Sequence, residues 1–166
     1  MPCIKCRLLF KDSSHFYLLI SSKEGSGQGF WTIKRVVSST FYFPASALVT
    51  QESVPGQTEV LWTGSTGWKH NIAFKFNILH LPAKGLIQLK IYEGATLVED
   101  SGDIIDKGEE RLSGGKMGVF CYSQASITWS ALSYRCATTT ISATTASSVR
   151  IMINRMRGFN QWKPIA

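Results

Sequence analysis

The stretch NIAFKFNILHLPAKGLIQLKIYEG, Asn71 to Gly94, alternates apolar and polar side chains more regularly than any other part of this chain. Ile72, Phe74, Phe76 and Ile78 fall on one side, and Asn71, Lys75 and Asn77 on the other, with Ala73 and Leu79 as mild exceptions. A period of two belongs to an extended strand with one face in a core and one in water. Leu81-Pro82-Ala83-Lys84-Gly85 then turns the chain, because proline fixes φ and glycine tolerates φ > 0. Ile87, Leu89 and Ile91 can return beside the first run, which predicts an antiparallel hairpin with a five-residue connection.

The same texture continues on both sides. HFYLLI, WTIKRVV, TEVLW, MGVFCYS and SITWSALSY are short, rich in aromatic and β-branched residues, and separated by Gly, Pro or Ser. No helix of ordinary length is predicted before residue 145, so the class is all-β and the spacing suggests an antiparallel sandwich. With 166 residues the chain suits one domain with one core, and 44% apolar against 17% charged residues places it among globular folds. No apolar run is long enough for a transmembrane segment. Met1 to Cys6 lacks the apolar centre of a secretory signal, so export would require a signal upstream. The net charge of +7 is spread along the chain, with a local excess at Arg150, Arg155 and Arg157. No zinc finger, RNA-binding aromatic signature or basic helix accompanies it, so nucleic acid is not the expected partner.

Catalysis is poorly supported. A glycosidase needs two carboxylates flanking a groove, whereas Glu99, Asp100, Asp103, Asp106, Glu109 and Glu110 gather in one Gly/Ser-containing loop. Aspartates at every third position, Asp100, Asp103 and Asp106, suit a hard cation such as calcium, although the spacing is not that of a twelve-residue EF-hand loop. A solvated acidic loop is the competing reading. His15, His70 and His80 have no nucleophile constellation attached to them. Cys3 and Cys6 have the spacing of half a zinc site without a second pair. Together with Cys121 and Cys136 they permit three disulfide connectivities in an oxidising compartment.

Three blocks carry a resemblance: GWKHNIAFKFNILHLPAKGLIQLKIYEG, then VEDSGDIID, then GGKMGVFCYSQASITWSALSYRC. Gly67-Trp68-Lys69, Phe74-Lys75-Phe76, His80 with Pro82 and Gly85, Tyr92-Glu93-Gly94, Asp100-Ser101, Gly114-Gly115, Gly118, Phe120 and Tyr122-Ser123-Gln124 occur in the order and spacing of the thrombospondin C-terminal domain. The chain resembles that family, which includes cartilage oligomeric matrix protein, and KDSSHFYLLI extends the likeness towards the N-terminus. So many fixed spacings are far more specific than one short motif.

The resemblance implies a jelly-roll sandwich like that of the concanavalin-like L-type lectins, here a domain over residues 7–136. It also implies a secreted, extracellular, calcium-binding adhesive glycoprotein that is no enzyme and that meets extracellular matrix proteins and cell-surface receptors. Any oligomerisation element would lie outside this chain. Cys121 and Cys136 then become possible disulfide cysteines, because exported cysteines generally pair, with the partners left open. Phe16 and Tyr17 match a family strand credited with receptor contact, while its other positions differ. A carbohydrate-binding lectin-like domain and a truncated non-functional fragment are the alternatives.

Departures from the family set further expectations. Relatives carry strands ahead of the KDSSHFYLLI position, and here only Met1 to Arg7 precede it. The sandwich is therefore expected to lack N-terminal strands and to expose a sheet edge, unless Met1 to Phe10 or the tail at Arg150 to Trp162 substitutes. Phe41-Tyr42-Phe43 reads as core rather than as a binding patch. Residues 137–149 (ATTTISATTASSV) read as a flexible linker. Residues 150–166 read as a basic tail in which a frayed chain is favoured over a short amphipathic helix.

Overall fold

In a computed structural model, described for residues 3–12, 14–24, 29–38, 50–109, 111–112, 116–122, 130–138 and 145–153, the described chain forms two antiparallel sheets facing one another. The strands are β1 (Cys3–Phe10), β2 (His15–Ser22), β3 (Trp31–Val37), β4 (Thr58–Thr63), β5 (Phe74–Leu81), β6 (Leu86–Glu93), β7 (Thr96–Asp100), β8 (Ile104–Ile105), β9 (Lys116–Tyr122), β10 (Ser130–Thr138) and β11 (Thr145–Ile153). One sheet has the order β4-β3-β2-β1-β9, and the other β10-β11-β5-β6-β7 with the short β8 also pairing β6.

The hairpin that dominates the sequence is present. β5 pairs β6 with Phe76 opposite Ile91, Ile78 opposite Leu89 and His80 opposite Ile87. Along β5 burial alternates strictly, with Phe74, Phe76, Ile78 and His80 buried and the residues between them half-buried. The turn holds one 3-10 turn, Pro82–Lys84, closed by Gly85 at φ 62°. Proline supplies the fixed φ at its start and glycine the left-handed residue at its end.

The core lies between the sheets. Tyr17, Leu19, Trp31 and Ile33 of β2 and β3 meet Phe74, Phe76, Ile78, Ile87, Leu89 and Ile91 of β5 and β6. Trp31 touches Phe74 and Phe76 edge-on, with ring centres 5.6 and 5.2 Å apart. β2 is buried on both faces, since its alternate residues Phe16, Leu18 and Ile20 join Phe30 and Val36 in a second apolar cluster. A strand covered on both sides needs a continuous apolar run, and that is what FYLLI provides.

Of the two readings of the N-terminal edge, substitution by Met1 to Phe10 is the one seen, and residues 145–153 differ from the linker-and-tail reading. The edge expected beside β2 is occupied: β1 runs through Cys3–Phe10 and pairs β2 on one side and β9 on the other. Thr145–Ile153, expected to be linker end and tail start, is a strand that lies between β10 and β5. The reason is local. Val149, Ile151 and Ile153 alternate with Ser148, Arg150 and Met152, and threonine and β-branched residues suit a pleated ladder although their small, repetitive context reads as linker. Phe41-Tyr42-Phe43, residues 139–144 and the tail from 154 lie outside the described residues.

Candidate functional site

At one end of the core, polar side chains from four separate segments converge. Tyr17 and Arg35 sit opposite one another in the β2–β3 register and so share the inner face of the first sheet. His80 comes from the inner face of β5. Asp106 comes from the segment after β8 and is inserted between them, 1% exposed.

Asp106 organises this cluster. Its Oδ2 accepts from the Tyr17 hydroxyl at 2.7 Å. Its Oδ1 accepts from Arg35 Nη1 at 2.9 Å and from the Gly108 N–H at 2.9 Å. Arg35 uses its other terminal nitrogen on Glu59, its register partner on β4. The Tyr17 oxygen in turn accepts from the Leu112 N–H at 3.2 Å. Two glycines make room for this packing. A Cβ on Gly108 would overlap the Arg35 guanidinium, and one on Gly85 would strike the Asp106 carbonyl oxygen, against which Gly85 lies in its left-handed conformation. The Gly85 carbonyl accepts from the Asp106 N–H at 2.8 Å, so the turn of the main hairpin holds the backbone of the same residue.

The electrostatics follow from burial. Tyr17 is held above its ordinary value of 10, first by desolvation and then by the bond to Asp106, so its phenol keeps the proton. His80 is pushed down to about 4 by burial, against the opposing pull of the Asp106 charge. Its ring meets Tyr17 edge-on with centres 5.7 Å apart, and neither ring nitrogen has a hydrogen-bonding partner among the described residues. General acid–base chemistry needs a group that exchanges its proton near the working pH. Here the phenol stays protonated, the imidazole stays neutral and the carboxylate is clamped by a guanidinium. The cluster is built as a fastener that holds residues 101–112 onto both sheets.

The aspartates singled out as calcium ligands do not converge. Asp100 is held by Lys90 Nζ at 3.0 Å and by the Gly102 N–H at 3.0 Å. Asp103 accepts from Gln88 Nε2 at 2.5 Å on the sheet surface, and Asp106 points inward to Arg35 and Tyr17. Among the described residues no group of three or more His, Cys, Asp or Glu side chains is placed to hold a metal. Calcium takes six to eight oxygens around one point. A carboxylate that already binds a guanidinium, a phenol and an amide offers almost none, so Asp106 is not placed to share one ion with Asp100 and Asp103.

Phe16 and Tyr17, matched to a family strand credited with receptor contact, are buried, 1% and 0% exposed. Tyr17 serves the core and the Asp106 cluster, because strand β2 is covered on both faces. Cys121 lies in β9 opposite Ile4, and Cys136 in β10 opposite Ser147, so the two stand in strands of different sheets. Sequence reasoning missed Arg35 and Glu59. The signal for Arg35 is the interruption of the apolar run WTIKRVV by two adjacent basic residues, one of which must face inward in a strand.

The family model described as the thrombospondin C-terminal region matches residues 8–138. Human thrombospondin-3 is 46% identical over 84 residues, which cover 49% of this chain and 8% of that protein. Zebrafish (Danio rerio) thrombospondin-3b is 33% identical over 144 residues, 76% of this chain and 15% of that protein. Bovine thrombospondin-4 is 44% identical over 82 residues, 48% of this chain and 8% of that protein. The chain thus spans only a small part of the length of these relatives.

Proposed function

This chain belongs to the thrombospondin C-terminal family, and from that premise we propose that it is a non-catalytic adhesive module of an extracellular matrix glycoprotein. It attaches cells by binding matrix proteins and cell-surface receptors, and it works outside the cell. The observation that carries the reading is the family match over residues 8–138. A two-sheet frame in which Tyr17 and Arg35 bond the buried Asp106 internally suits a rigid binding surface better than a reaction site. Calcium enters as a property of the family's C-terminal domains, without Asp100, Asp103 or Asp106 as its joint ligands. No helix among the described residues is long and apolar enough to cross a membrane.

Cells plated on the immobilised chain, with calcium and with a chelator, test the proposal. Attachment above an uncoated surface, together with a blank glycan array, is the expected result. No attachment, combined with selective glycan binding, would replace the adhesive reading with a lectin-like one.

A further inference from the structure

We propose that Arg35 is the resident cation of the 101–112 segment: its guanidinium fills the position at Asp106 that a divalent ion would need, so this segment is ordered without calcium. The inference stands apart from the adhesive reading, because it concerns what holds the segment and not what the surface binds.

A carboxylate offers about four acceptor sites on its two oxygens. At Asp106 three are used, by Arg35 Nη1, the Gly108 N–H and the Tyr17 hydroxyl. Charge points the same way. A divalent ion bound to Asp106 would stand within a few ångströms of a guanidinium with a side chain only 15% exposed, where water screens the repulsion poorly. Arg35 is also held from its far side by Glu59 and packs against the backbone at Gly108. The pattern repeats one strand away, where Lys90 supplies the positive partner of Asp100. Protein cations therefore stand at two of the three aspartates, and an amide, Gln88, at the third.

The segment carries its own reporters, because Lys107 and Arg111 are both exposed and both are trypsin sites. Cleavage of a native chain follows how often a segment opens. The expected result is that cleavage of the whole chain after Lys107 and Arg111 proceeds at the same rate in millimolar calcium and in chelator. Arg35→Gln should accelerate cleavage at these two bonds by about tenfold or more in both buffers, the loss expected when a charge-assisted hydrogen bond to a buried carboxylate is broken. Arg35→Lys, which keeps the charge without the two-pronged fork, should fall between. If chelation alone speeds cleavage of the wild-type chain at these bonds, a metal holds the segment and the proposal is overturned. Arg35→Gln behaving like wild type in both buffers would overturn it equally. Should Arg35→Gln fail to fold, the wild-type comparison still decides, and a general calcium effect on melting that leaves these two bonds untouched places the ion elsewhere and supports the proposal.

Discussion

His80 should make this domain sensitive to mild acid, in a window set by its burial. In the folded state its imidazole resists protonation down to about 4, whereas an unfolded histidine binds a proton near 6.5. Above pH 6.5 neither state is protonated, and stability is fully present. As pH falls below 6.5 the unfolded chain takes up a proton that the folded one refuses, so stability drops by about 1.4 kcal/mol per pH unit. The drop levels off once the folded residue also protonates, near pH 4, after a total of roughly 3 kcal/mol. For a domain of this size that corresponds to a melting temperature lower by roughly 6–12 °C. Asp12 and Asp100 act elsewhere: their folded values are lowered from 3.8, Asp12 chiefly by its bond to His15 and Asp100 by the Gly102 N–H, so their contributions fade only in stronger acid.

The measurement is urea unfolding at intervals from pH 7.5 to pH 4, for wild type and for His80→Phe. Phenylalanine keeps a ring against Tyr17 and removes two buried nitrogens without partners among the described residues. The variant should be at least as stable as wild type at pH 7.5, because replacing an unsatisfied polar group by an apolar one of similar shape removes a desolvation cost. Its stability should then change little down to pH 4, and the difference between the two curves isolates the histidine. Parallel curves would refute the reasoning.

Other substitutions test the same frame. Tyr17→Phe strips Asp106 Oδ2 and the Leu112 N–H of their shared partner and should cost about 1–3 kcal/mol in denaturant unfolding. Phe76→Ala removes a ring 2% exposed that packs edge-on against Trp31, and a loss of about 3–5 kcal/mol is expected by the same measurement. Gly85→Ala forces a side chain into a residue at φ 62° and against the Asp106 carbonyl, so it should lower the unfolding midpoint by about 1–3 kcal/mol and loosen the 101–112 segment to trypsin. A neutral Gly85→Ala would mean that the turn does not position Asp106.

What could be read from the sequence was what is encoded locally. The β5–β6 hairpin is specified by period-two alternation and by a turn whose proline and glycine lie within one four-residue stretch. The ends of β2, β3 and β4 follow for the same reason, since each begins and stops within a residue or two of its apolar run. β11 escaped because its first half, Thr145 to Ser148, is small and polar and continues a repetitive Ser/Thr/Ala stretch. It is ordered by ladders on both sides, to β10 and to β5, which are tertiary facts. The separation of the three aspartates has a similar cause. Regular spacing of Asp100, Asp103 and Asp106 says where the carboxylates lie along the chain, but the partner of Asp106 is 71 residues away on β3. Nothing near Asp106 in the sequence shows that a guanidinium will reach it.

The residues that carry the family resemblance have structural work in this fold, and that explains why they identify the family better than they identify a partner. Trp68 is buried in the core beside Lys69, which reaches Glu93 at 2.8 Å and Glu24 at 3.6 Å. Lys75 lies over the Tyr92 ring at 4.4 Å, across the β5–β6 pair. Pro82 and Gly85 build the turn that grips the Asp106 backbone, and Ser101 accepts from the Leu89 N–H at 2.8 Å where β7 leaves the sheet. Each contact joins neighbouring strands or fixes the exit of one, so each demands a particular residue type at a fixed spacing. Partner choice places no such demand on these positions. Outward residues such as Leu97, on the edge strand β7, make none of these contacts. Changing Leu97, 45% exposed at the β7 edge, should therefore leave unfolding unchanged within about 0.5 kcal/mol. A shift in cell attachment at unchanged stability would map the adhesive surface to that edge.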